Sequence, residues 1–144
     1  MKLNPLLQFI CDECKGVIEK IEDGWLEWFD GNENPLRGFR IVHFSEASPR
    51  LEKGGNCYYP ESSDVNGLHL EVFAGSDGLA LLLSFFERNL ADSNEFAEVI
   101  RRLHIPHYEE GRHYLEKAYV DRIIVDKVYG QEDLKRVIKE YSNE

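Results

Sequence analysis

The chain has 144 residues, the usual size of one domain and long enough to bury a core without disulfides. Apolar residues make up 42% and charged residues 31%, a globular balance that excludes wholesale disorder. Acidic residues outnumber basic ones 27 to 17, for a formal charge of -10. A surface of that sign repels a phosphate backbone, so nucleic acid is not an expected partner.

The N-terminus, MKLNPLLQFICDEC, has a short apolar stretch with acidic residues close behind. It lacks the long apolar core and small-residue cleavage site of a secretory signal, and no run in the chain reaches the length of a membrane span. A soluble, cytoplasmic protein without membrane contact is expected. Trp25 to Phe29 has strong β-propensity and lies between the turn pairs Asp23-Gly24 and Asp30-Gly31. Phe39 to Phe44 is a second strand, joined to the first by a long loop containing Asn34-Pro35 and Gly38. Residues 45–66 read as a long irregular connection with Pro49, Gly54-Gly55 and Pro60; connections of that length are commonly functional or anchored. His69 to Phe73 is a third strand candidate.

From residue 76 the pattern changes to helix. Ser76-Asp77 is an N-cap pair, and Leu79, Leu82, Leu83, Phe86 and Leu90 follow at helical spacing. The apolar positions fall on several faces, which predicts the central, most buried helix. A second helix begins near Ser93-Asn94, carries Phe96, Val99, Ile100 and Leu103 on one face, and ends before Pro106. Pro106 opens a third, with Glu109 and Glu110 in its first turn, predicted to run to about Val128. A last helix over 132–141 has Leu134, Val137, Ile138 and Tyr141 as a stripe. Strands in the first half (1–75) and helices in the second (76–144) predict one α+β domain, a small antiparallel sheet packed on three or four helices. The expected core is Trp25, Trp28, Phe39, Ile41, Leu79, Leu82, Leu83, Phe86, Phe96, Val99, Ile100, Leu103 and Leu115.

The most specific chemical feature is Cys11-Asp-Glu-Cys14. Two cysteines two residues apart can present both sulfurs to one tetrahedral metal from a tight turn, and Gly16 is suited to such a turn. His43 and Cys57, beyond the two strands, complete a Cys3His set of Cys11, Cys14, His43 and Cys57, with His69 as the alternative fourth ligand. The chain has three cysteines, an odd number that suits metal ligation or reduced thiols better than a disulfide framework. Two other readings stay open. In one, all three are ordinary buried thiols; in the other, Cys11 and Cys14 are a redox pair, although Asp12 and Glu13 between them disfavour a reactive thiolate. The segment CDECKGVIEKIEDGWLEW resembles the first knuckle of zinc-ribbon and treble-clef modules of the LIM type. The resemblance covers residues 11–57 and implies a structural zinc closed by four protein ligands.

A second cluster is His104-Ile-Pro-His107-Tyr-Glu109-Glu110-Gly-Arg-His113. Glu110 and His113, three apart, share a helix face, and with His107 they form a candidate acid–base set for a metal-dependent or His/Glu hydrolase; solvated side chains at a helix junction are the simpler reading. No nucleophile elbow, P-loop or dinucleotide fingerprint occurs. The favoured expectation is a zinc-stabilised interaction or regulatory protein. It would bind a protein partner, or a second copy of itself through the last helix, with Pro49, Tyr58, Tyr59 and Pro60 as exposed anchors.

Overall fold

The computed structural model describes residues 2–31 and 34–142. It is α+β, with antiparallel sheets in the first half and helices in the second. Two-residue strands β1 (Phe9–Ile10) and β2 (Val17–Ile18) form a ribbon that flanks the CxxC turn; these strands are too short to leave an alternation in the sequence. β3 (Gly24–Phe29) is the centre of a three-stranded sheet in the order β4-β3-β5, with β4 spanning Arg37–His43 and β5 Val65–His69. The β3–β4 register, from Gly24 opposite His43 to Phe29 opposite Arg37, is the predicted long-loop hairpin.

The third strand lies earlier than predicted. β5 pairs with β3 from Trp25 opposite His69 to Phe29 opposite Val65, and Leu70–Phe73 is a turn of 3-10 helix. Leu70 and Phe73 are both fully buried; at a spacing of three, a helical turn places both on the core side, which a strand cannot do.

The helices are α1 (Gly75–Ser84), α2 (Ser93–His104), α3 (Tyr108–Gly111), α4 (Leu115–Val120) and α5 (Gln131–Tyr141). α2 matches its prediction, including its end before Ile105-Pro106, and Asp92 caps it by accepting the Asn94 N–H at 2.9 Å. α1 differs in two ways. It starts at Gly75, after Ala74, so Ser76 is not its cap. It is also not central: Leu83 is 51% and Phe86 44% exposed. The reason is Gly78, which presses so closely on the Phe73 backbone that an added Cβ would lie 2.1 Å from the Phe73 carbonyl carbon. That contact turns Gly78, Leu82 and Phe85 inward and leaves the opposite leucine out. The predicted third helix is broken into α3, a 3-10 turn over Arg112–Tyr114, and α4. The chain then leaves helix after Val120, and Arg122 and Tyr129 adopt left-handed backbone, φ 59° and 61°.

The main core lies between the sheet and α1 and α2. Phe85 stacks on Phe96 at 5.3 Å, and Trp28 meets Phe85 edge-on at 5.5 Å. Of the remaining expected core residues, Ile41, Val99 and Leu103 are buried, whereas Trp25, Phe39, Leu79, Ile100 and Leu115 are half-buried. Ala118, Ile124, Val137 and Tyr141 form a second cluster. Of the α5 stripe, Leu134, Val137 and Tyr141 are buried within the chain and Ile138 is half-buried. No helix among the described residues is long and apolar enough to cross a membrane.

Candidate metal centre

The CxxC segment turns between β1 and β2. Lys15 N–H donates to the Cys11 carbonyl at 3.0 Å, and Cys11 N–H donates to the Gly16 carbonyl at 2.9 Å. The residue carrying the left-handed turn is Lys15, φ 66°, not Gly16 as its type suggested. Gly16 instead points its N–H at the Cys14 sulfur, 3.4 Å away, which suits a sulfur that holds negative charge. This ribbon setting also differs from a redox CxxC, which sits at a strand–helix junction.

β4 delivers His43 from its last position, and the long connection delivers Cys57. Both are buried, as is Cys11, while Cys14 is partly exposed. The ligand atoms of Cys11, Cys14, His43 and Cys57 all lie within 4.8 Å of one another. His43 Nδ1 is 3.4 Å from the Cys14 sulfur and 3.9 Å from the Cys57 sulfur. Metal–sulfur bonds of about 2.3 Å and metal–nitrogen bonds of about 2.0–2.1 Å, set tetrahedrally, require sulfur–nitrogen separations of about 3.6 Å. The two sulfur–nitrogen distances are close to that spacing, and the four side chains could hold a metal ion. His43 Nε2 is 3.1 Å from the Val17 carbonyl; a proton there leaves Nδ1 as the free lone pair facing the sulfurs. Ser48 Oγ lies 3.3 Å from the Cys57 sulfur. His69 is elsewhere: its ring packs against Phe44 at 4.6 Å and Trp25 at 5.1 Å. The fourth member of the cluster is His43.

Asp12 and Glu13, the two carboxylates between the thiols, are both paired with arginines. Asp12 pairs with Arg102 at 2.7 Å and accepts the Ile41 N–H at 2.8 Å. Glu13 bridges Arg40 and Arg50 at 2.8 and 2.9 Å, and its hydrogen bonds to Arg50 and then Arg40 hold its carboxyl below the usual range. In the absence of a cation, burial pushes the Cys57 thiol up to about 11, with Cys11 and Cys14 adding to the rise. A bound cation inverts that preference and favours thiolates.

The acid–base set is divided between a groove and the surface. His107, in left-handed backbone at φ 68°, and Glu110 line a groove of about 260 Å³ beside Lys2, Lys135 and Ile138, and His113 is not among its walls. Glu110 is buried and accepts the Leu3 N–H, whereas His113 is exposed. His104 Nε2 lies 2.7 Å from the Phe73 carbonyl, and Glu109 belongs to Arg102. The proposed anchors are also more occupied than expected. Tyr58 Oη accepts the Ser45 N–H at 2.9 Å, and Tyr59 Oη donates to the Gly38 carbonyl at 2.8 Å. Both rings are half-buried, while Pro49 and Pro60 are exposed.

Sequence reasoning missed Arg102. It is 3% exposed and donates to both Glu109 oxygens at 2.7 and 2.8 Å, to Asp12 at 2.7 Å and to the Ile10 carbonyl at 2.9 Å. One signal for it exists in the sequence: Arg102 follows Val99 by three and so lies on the apolar face of α2, where a charge requires a buried partner. Compared with protein-family models, with curated proteins and with solved structures, the chain matches none.

Proposed function

We propose that Cys11, Cys14, His43 and Cys57 bind one zinc ion in a structural site, and that the protein is a zinc-stapled interaction or regulatory protein that binds another protein. The observation that carries this reading is the convergence of three sulfurs and one imidazole nitrogen within 4.8 Å. Soft thiolates with an imidazole in a tetrahedral set favour zinc. Four protein ligands leave no position for a reactive water, which supports a structural role over a catalytic one. When bound, the ion supplies folding free energy and favours the thiolate of Cys57, which burial otherwise keeps protonated. This chain's residues supply the rest: Val17 orients His43, Gly16 and Ser48 meet the sulfurs, and Arg40 and Arg102 hold the turn through Glu13 and Asp12. Glu110 lines a groove that His113 does not, which supports the binding reading over the hydrolase alternative.

Elemental analysis of untagged protein tests the reading, with one zinc per chain expected. Protein that carries no metal and melts identically with and without a chelator would overturn it.

A further inference from the structure

The long connection before β5 folds back over the outer face of the sheet, the face opposite the main core. Leu26 and Trp28 of β3 point to the core and are buried, while Trp25 and Phe29 are half-buried on the other side. Tyr59 N–H bonds to both oxygens of the buried Glu27 at 3.0 and 3.1 Å, and the Arg40 guanidinium lies 3.7 Å from the centre of the Tyr59 ring. Arg40 also donates to the Cys57 carbonyl at 3.0 Å. Between this loop and the sheet is a pocket of about 520 Å³, with Trp25 and Gly67 on its sheet side and Tyr58, Tyr59, Pro60 and Glu61 on its loop side.

Its construction is specific. Gly67 lets the Trp25 indole lie across β5, since an added Cβ would fall 2.2 Å from Trp25 Nε1. Trp25 and Tyr58 face each other at 5.5 Å. No lysine or arginine is among the lining residues. Glu27 is answered by Arg40 at 2.6 Å, but Glu61 is exposed and makes no ion pair among the described residues. The pocket mouth is thus aromatic and anionic in a chain of charge -10. Beside it, β5 is an outer strand of the sheet, and an outer strand offers backbone groups to an added strand while a neighbouring pocket selects a side chain.

We infer that this pocket takes the cationic side chain of an extended basic segment of a protein partner, laid beside β5, with its ammonium or guanidinium group against the Trp25 and Tyr58 rings and facing Glu61. Aromatic faces and an unpaired carboxylate attract an organic cation for the same electrostatic reason, and the acidic surface steers a basic partner toward it. The inference rests on the binding reading above and names its surface. It also links that surface to the metal centre, because Cys57 is the residue immediately before Tyr58 and Tyr59 in the pocket wall.

The test uses the full chain, with zinc content measured first and folding checked by melting. The probes are an acetylated six-residue peptide alternating lysine and valine, the same peptide with glutamine for lysine, and n-butylammonium. Binding is followed by tryptophan fluorescence and by amide shifts. Saturable binding of the lysine peptide is expected, with shifts concentrated in 65–69 and at least about fivefold weaker binding of the glutamine peptide. Glu61→Lys, an exposed change, should weaken the lysine peptide about fivefold with melting unchanged, and Tyr58→Leu should weaken it further. Equal binding of the two peptides, indifference to Glu61→Lys, or n-butylammonium binding as well as the peptide overturns the inference. Zinc-loaded, folded protein that ignores the lysine peptide sinks this inference alone. Peptide binding by protein that holds no metal keeps it and sinks the structural zinc.

Discussion

Asp12 and Arg102 stand 90 residues apart in the chain, yet their side chains meet at 2.7 Å. The contact ties the CxxC turn to α2, and through Glu109 to α3, with every partner of Arg102 in or near the interior. Removing one member of a buried ionic set strands the others without water, so Arg102→Met should cost about 3–5 kcal/mol. Urea denaturation measures this; a loss below about 1 kcal/mol would show that Asp12 and Glu109 find solvent without the arginine. Replacing the set together, as Asp12→Asn, Arg102→Met and Glu109→Gln, should cost less than the single change.

The choice between histidines is directly testable. His43→Gln should weaken zinc binding by more than about 100-fold, since loss even of an outer-shell partner typically costs 10–100-fold. His69→Gln should leave metal stoichiometry at the wild-type value. A competition titration with a chromogenic chelator reads both, and equal effects would contradict the geometry of the cluster.

The pH response has a definite sign for metal-free protein. The Cys57 thiol is raised by burial from its ordinary 9.0 to about 11 in the fold. The unfolded chain therefore releases that proton first as pH rises, so stability is full below about pH 9 and falls between about 9 and 11. Thermal melts in chelator across this range should show the decline, and Cys57→Ser should flatten it. With zinc bound the trend at the acid end is the opposite, because protons compete for the thiolates and metal is lost as pH falls.

Adjacent leucines of α1 should behave differently. Leu82 is fully buried and Leu83 is 51% exposed. Leu82→Ala is expected to cost about 2–5 kcal/mol and Leu83→Ala no more than about 0.5 kcal/mol. Chemical denaturation of the pair decides which face of α1 meets the core, and similar losses would restore a helix buried all round.

Gly78→Ala probes the contact that sets that face. Its added methyl would fall 2.1 Å from the Phe73 carbonyl carbon, and backbone on both sides leaves little room to adjust. A loss of about 1–3 kcal/mol is expected from overpacking, in spite of alanine's better helix propensity. A neutral or stabilising result would mean that α1 can lift off the Leu70–Phe73 turn.

What the sequence determined by itself is what short-range chemistry controls. The β3–β4 hairpin follows from aromatic strand runs between turn pairs, and α2 from its start near Ser93-Asn94, its end before Pro106 and its apolar stripe. The candidate ligand cluster Cys11, Cys14, His43 and Cys57 was legible because two thiols at the CxxC spacing can share one ion. The tertiary structure decided what depends on residues far apart in the chain. It placed His43 rather than His69 beside the sulfurs, because β4 ends against the CxxC ribbon while His69 lies on an outer strand. It split the helix predicted from Pro106, turned Leu83 and Phe86 outward through the closeness of Gly78 to Phe73, and packed α5 against α3 and the 3-10 turn that follows it. It also made Arg102 a buried clamp, since a charge on an apolar face is tolerated only where the fold brings it Asp12 and Glu109.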